Sequence, residues 1–110
     1  MIAYDDFLRV DVRAGTILAA EPLAGARKPA YALTIDFGAE LGQKRSSAQI
    51  TRRHAAEDLI GTQVCAVVNF PPKRIAGFSS EVLVLGMDDE DGNVVLVRPV
   101  FPVPNGRRLY

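Results

Sequence analysis

From Val10 the chain alternates apolar and polar side chains: Val10, Val12 and Ala14 face one way, Asp11 and Arg13 the other. That is the period of a half-buried strand. Gly15 interrupts the alternation and Thr16 to Ala20 resume it shifted, as a β-bulge would cause, so one long bent strand is predicted. Ala30 to Phe37 predicts a second strand, ending at Gly38. Lys44 to Ile50 predicts a third, with Ser, Ala and Gln where a purely structural strand prefers bulkier residues, a composition suited to contact. Val64 to Asn69 reads as an apolar strand buried on both faces. Phe70, Pro71 and Pro72 must then leave the sheet because proline has no ladder donor, so Lys73 and Arg74 ride a constrained loop. Glu81 to Leu85 predicts a fifth strand, and Val94 to Arg98 pairs back as a hairpin across the acidic turn Asp88 to Asn93.

Helical signals are short. Asp5 or Asp6 is placed to cap a turn or helix that runs through Leu8, and Thr51 to cap one from Arg52 to Asp58, stopped by Leu59, Ile60 and Gly61. In that second helix Arg52 and Arg53 would occupy the first turn and Glu57 and Asp58 the last, each against the helix dipole. A local rule broken twice suggests a functional compromise. Pro99, Pro102 and Pro104 forbid a central strand in the tail, yet Val100, Phe101 and Val103 are too apolar for a free one. The barrel or a second subunit is expected to cover them. Together these elements predict an all-β, five-stranded Greek-key barrel of the OB type, with short helices and a C-terminal extension. At 110 residues it is a single domain.

Composition adds little, but charge distribution adds more. Hydrophobic residues make up 48% and charged residues 24%, as in ordinary globular chains, and thirteen basic residues cancel thirteen acidic ones. The middle of the chain, residues 43–74, nevertheless carries six cations against Glu57 and Asp58, while the segments on either side are each net acidic. Such a block makes a local positive potential that the sum conceals. Cys65 is the single cysteine and precludes an internal disulfide, which points to a reducing compartment, the cytoplasm. The charged amino terminus does not read as a signal peptide, and no apolar run reaches the length of a membrane span.

Enzyme chemistry finds no constellation. Cys65 lies inside an apolar strand, where a thiol acts as a small hydrophobe, and His54 is the lone histidine, on an Arg-rich turn. No phosphate-cradling glycine loop appears, and Asp88 to Asp91 lack the ligand spacing of an EF-hand. No catalytic residue, cofactor or metal site is expected, and the acidic turn reads as a solvated hairpin tip.

Several segments carry a resemblance in combination. They are Asp11 to Ile17 (DVRAGTI), Ile35 to Gly38 (IDFG), Ser47 to Thr51 (SAQIT), Val67 to Phe78 (VVNFPPKRIAGF) and Ser80-Glu81. Over essentially the whole chain these resemble the OB-fold tRNA-binding domain family. Val82-Leu83 stand where the wider family has Gly-Met after the Ser-Glu pair, which places the chain closer to the export-related chaperone branch. The resemblance implies a homodimeric barrel that reads tRNA through backbone and shape. For that branch it also implies binding of unfolded preproteins linked to the export machinery.

RNA on an OB surface needs cations for phosphates and small polar groups for sugar or base. Lys44, Arg45, Arg52, Arg53, Lys73 and Arg74 are the phosphate candidates, and Gln49, Asn69, Ser79 and Ser80 the polar ones. Phe70 and Phe78 flank the basic loop and could stack on bases, although a Phe beside a strand end or a glycine is more often core or subunit interface. With Phe101 they are also candidates to line apolar grooves for an extended peptide, in the alternative reading of a protein-export chaperone that binds no tRNA.

Overall fold

Most of the alternating segments pair as predicted, with shifted ends. The expected hairpin of Glu81 to Leu85 with Val94 to Arg98 changes partners: Leu83 and Val84 pair with Val67 and Ala66, and Gly86–Asp88 pairs back with Val94–Leu96. In a computed structural model that describes residues 1–110, β1 (Val12–Pro22), β2 (Tyr31–Asp36), β3 (Gln43–Ala48), β4 (Gln63–Val67) and β7 (Leu83–Val84) form one antiparallel sheet in the order β3-β2-β1-β4-β7. Between β4 and β7 lies a small hairpin, β5 (Lys73–Ile75) with β6 (Phe78–Ser80); a second, β8 (Gly86–Asp88) with β9 (Val94–Leu96), follows. The helices are short: α1 (Tyr4–Leu8), α2 (Gly38–Leu41) and α3 (Ala56–Leu59). This is the all-β barrel of the OB type that the sequence predicts.

The sheet closes through side chains as well as backbone. Along the free edge of β3, the Glu81 amide donates to the Arg45 carbonyl at 2.7 Å and the Ser47 amide donates to Ser80 Oγ at 3.0 Å. Ser46, fully buried, donates from Oγ to the Val82 carbonyl at 3.0 Å. The small residues of β3 thus serve closure, and Val82 is buried in the core. Ile17, Leu33, Ile35, Phe37 and Val64 are the fully buried centre of that core.

Three local expectations change. The bulge lies between Ile17 and Ala19, where Leu18 is the extra residue, and not at Gly15. Gly15 is instead demanded by packing: a Cβ there would sit 2.7 Å from Ile35 Cγ2 and 2.8 Å from the Phe37 ring. Lys73 and Arg74 belong to a strand rather than a loop, because Ala76 (φ 51°) and Gly77 (φ 78°) make a turn with two left-handed residues, the geometry that matches strand twist. In α1 the N-cap is Ala3, and Asp6 reaches back from inside the helix to accept from the Ala3 amide at 2.9 Å.

The largest correction concerns the second helix. Residues 51–53 form a turn, in which the His54 amide donates to the Ile50 carbonyl at 3.1 Å and Tyr31 Oη donates to the His54 carbonyl at 2.8 Å. The first bond closes the turn and the second ties it to β2, so the helix begins only at Ala56, after extended Ala55. Glu57 and Asp58 then occupy its first turn, where the dipole favours them. The reversed charges do not exist, and with them goes the reason to infer a functional compromise.

The C-terminal extension is held by the barrel. Its Gly106, Arg107 and Leu109 exchange backbone hydrogen bonds with Val12 and Ala14 of β1 at 2.7–3.0 Å. Gln63 bonds both ways with Val103 and also donates to Asn105, which accepts from Thr16 as well. Arg108 ties the tail to the amino terminus through the Leu8 carbonyl. Val100 and Phe101 remain outside this clamp, 91% and 78% exposed.

Candidate nucleic-acid interface

Side-chain alternation divides the basic block. Lys44 pairs with Ile35 and Arg45 with Thr34, so the two neighbours emerge on opposite faces of the sheet. Arg45 shares the outer face with Ser47, while Lys44 lies on the side of buried Ser46. Arg52 and Arg53 project from the 51–53 turn, exposed. Lys73 and Arg74 lie on β5 opposite Ser80 and Ser79.

Two cavities adjoin on this side of the barrel. One, of about 330 Å³, is lined by Lys28, Gln49, Thr51, Arg52 and residues 92–94 of the β8–β9 hairpin. The other, of about 470 Å³, is lined by Arg27, Lys28, Ser47, Gln49, Ile75 and Ala76, among others. Lys28 and Gln49 belong to both, so they form one trough from the tip of the second hairpin to the turn of the first. Arg27, Lys28 and Arg52 line it, and no carboxylate does. Oligonucleotides approach OB barrels across the β2–β3 face, between the loop joining the first two strands and the loop after the fourth. The trough occupies that position.

Arg27 and Lys28 are functional candidates that sequence reasoning missed. They fall within the net acidic first third of the chain, although a loop between the first two strands of an OB barrel flanks the ligand face whatever its neighbours' charge. The tertiary fold carries them to Gln49 and Arg52.

The remaining candidates divide by what their polar atoms already do. Asn69 Oδ1 accepts from the Asp11 amide at 3.0 Å and its Nδ2 donates to the Arg9 carbonyl at 2.8 Å, which pins the amino terminus to the end of β4. Ser80 Oγ is held by Ser47 in barrel closure. Arg74 donates to the Gly77 carbonyl at 3.0 Å, and Lys73 is exposed. Gln49 is exposed on the trough and Ser79 is half-buried. Phe78 is core, 8% exposed, and so cannot itself stack on a base or line a groove; Phe70 is 50% exposed. Phe70, Phe78 and Phe101 line neither cavity of the trough.

Electrostatics ranks the paired arginines. Asp89, in the acidic turn, accepts from the Asn93 and Asp91 amides at 2.9 Å, and these bonds, with Arg53 nearby, hold its carboxyl below the usual range. Arg53 Nε lies 3.9 Å from Asp89, so its charge is partly offset, whereas Arg52 has no carboxylate within bridging distance. Asp89 alone is capped and engaged with Arg53; Asp88, Glu90 and Asp91 are exposed, as expected of a solvated hairpin tip. Burial, then Arg53, pushes the His54 imidazole below its ordinary pKa, so it adds no charge to the turn at neutral pH. Burial pushes the Cys65 thiol up, in keeping with an inert side chain.

Across the barrel a third cavity, of about 360 Å³, is mostly apolar and lies between Ala14, Cys65, Val97 and the tail residues Val103 and Leu109. No helix is long and apolar enough to cross a membrane.

The family model described as "Putative tRNA binding domain" matches residues 12–108. The chain belongs to the tRNA-binding domain family. Similar sequences include the methionine–tRNA ligase of Porphyromonas gingivalis, 36% identical over 108 residues, and that of Salinibacter ruber, 38% over 96 residues. The matches cover 98% and 87% of this chain but only 15% and 13% of those ligases, so the shared part is a small piece of each. Among solved structures, the chaperone CsaA of Bacillus anthracis is 58% identical with a TM-score of 0.93, covering 100% of this chain and 99% of its own. The CsaA chaperone of Picrophilus torridus is 48% identical with the same score and full coverage of both chains. A MetRS-related protein of Pyrococcus horikoshii is 28% identical with a TM-score of 0.88, covering 100% and 98%. The family is thus characterised by tRNA binding, and the ligase activity is that of much longer proteins.

Proposed function

We propose that this chain binds tRNA through the trough centred on Lys28, Gln49 and Arg52, reading backbone and shape. The observation that carries the reading is the convergence of Arg27, Lys28 and Arg52 on one carboxylate-free trough at the OB ligand face. Lys73, Arg74 and Ser79 on the β5–β6 hairpin extend the surface at the Ala76 end. Lys44, Arg53, Asn69 and Ser80 contribute less, being turned away, offset or engaged within the chain. The reading needs no catalysis, cofactor or metal, and the reducing cytoplasm suits a chain with one buried thiol.

A gel-shift titration with total tRNA at rising salt tests this. Neutralised phosphates release counterions, so affinity should fall by a factor of about 10 or more for a few-fold rise in salt. No shift at low salt would discard the reading.

A second reading is favoured by exposed Phe70, Val100 and Phe101: capture of extended preprotein segments, the chaperone role in export. Apolar capture should hold or strengthen as salt rises, opposite to phosphate binding. If only an unfolded polypeptide binds, and does so independently of salt, the chaperone reading replaces the first.

We also propose a homodimer. The chain exposes 7356 Å², against about 6,000 Å² for a compact monomer of its mass. Much of the apolar part lies at the joined termini: Ile2 and Tyr4 on one, Phe101 and Tyr110 on the other. Sedimentation at micromolar concentration should give twice 11.9 kDa; a stable 11.9 kDa species would refute it.

A further inference from the structure

We propose that Arg45, backed by Phe78, is a stacking platform for an unpaired nucleobase of the bound RNA, and not a phosphate contact as its charge alone suggests. The inference rests on the tRNA-binding reading and adds what one particular side chain recognises. The Arg45 guanidinium carbon lies 4.3 Å from the centroid of the Phe78 ring. Phe78 is buried, so its ring presents little to a ligand directly, but it lies under the guanidinium and props it at the surface. A guanidinium stacked on a ring on one side offers its other flat face to a second π-system.

The rest of Arg45 is held for this purpose. Its amide donates to Glu81 Oε1 at 3.0 Å and its carbonyl accepts from the Glu81 amide at 2.7 Å, so the backbone is clamped from both directions. That arrangement also occupies the neighbouring carboxylate. Glu81 bonds to the backbone and makes no ion pair with the guanidinium, which is exposed and has no hydrogen-bond partner within the chain. Arg74 differs, since its guanidinium is tied to the Gly77 carbonyl.

Arg45 is also placed beside the trough. Arg45 and Ser47 share the outer face of β3, two residues or about 7 Å apart along the strand, and Ser47 lines the trough with Arg27 and Lys28. A strand whose phosphates follow the trough cations brings a neighbouring base to the Arg45 plane. Single-stranded RNA segments are recognised by stacking unpaired bases on aromatic rings or on arginine planes. The exposed face here is the arginine's, and lysine, a point charge on a flexible stem, cannot supply it.

The test uses short unstructured oligoribonucleotides carrying 2-aminopurine at successive positions, whose fluorescence is quenched on stacking, and matched oligonucleotides with an abasic site there. Wild-type protein should quench one position, and the abasic change there should weaken binding about tenfold, within the range for base stacking. Arg45→Lys should abolish the quench, weaken the intact oligonucleotide to the level of the abasic one, and leave the salt slope unchanged. Phe78→Leu, which keeps an apolar core residue but removes the prop, should reduce the quench in a protein that still melts cooperatively. Quenching that persists in Arg45→Lys overturns the platform. So does a phosphate signature, in which Arg45→Gln lowers the salt slope by about one and Arg45→Lys restores it. If wild type binds neither oligonucleotide nor tRNA, the tRNA reading and the platform both fall; if tRNA binds and Arg45→Lys is silent, only the platform falls.

Discussion

The double charge reversal Lys28→Glu, Arg52→Glu is expected to weaken tRNA binding by at least about 100-fold at moderate salt and to flatten the salt dependence by roughly two counterions. Both side chains line the trough, and Lys28 is common to its two cavities. Each reversal removes a phosphate partner and places a repelling charge in the same groove. Because both residues are exposed, melting should stay within about 0.5 kcal/mol of wild type, so the loss reads binding and not folding. The geometry also sets an order. Arg53→Glu should cost less than Arg52→Glu, since Arg53 already faces Asp89, and Lys44→Glu should cost least because its side chain leaves β3 on the other face. Gel shifts of the single variants check that order. Equal losses at Lys44 and Arg52 would mean that the RNA does not follow the trough.

Phe37→Ala is expected to destabilise the fold by about 3–5 kcal/mol. Phe37 is fully buried, and its ring packs where Gly15 leaves room for it against β1. The glycine cannot fill the void, and its neighbour Ile35 is itself fully buried, so collapse around the missing ring is limited. For a domain with about 5–15 kcal/mol of total stability this is a large share, and the midpoint temperature should drop by more than about 10 °C. Phe70→Ala, at a residue 50% exposed and outside the core, should cost far less and leave the melt within a few degrees of wild type. A thermal melt of the two variants side by side decides it, and similar melts would place the core elsewhere.

The five phenylalanines show what a sequence can and cannot sort. Phe37 sits at the end of an alternating run, and period two alone assigns it to the core. Phe78 follows a glycine beside a segment read as a loop, where the local context favours core or interface over contact without deciding which. It is buried because Ala76 and Gly77 turn β6 back to the edge of β3. The 51–59 segment fails for a related reason. Capping chemistry at Thr51 is sound in isolation, but the bond from Tyr31 to the His54 carbonyl joins residues far apart in the chain, and it moves the helix start to Ala56. Local propensity is a weak prior that such a bond overrides.

The sequence by itself determined most of the strand segments, the barrel and the family, because side-chain alternation and a contiguous motif are local properties that survive unfolding. It also determined that a basic block exists. Only the tertiary structure decided which of those cations act together, because register sends Lys44 and Arg45 to opposite faces and Asp89 offsets Arg53. Chain closure, in turn, brings Arg27 and Lys28 from the β1–β2 loop to Arg52. A local electrostatic field depends on distances in space over about a Debye length, and those distances are fixed by the fold rather than by position along the chain.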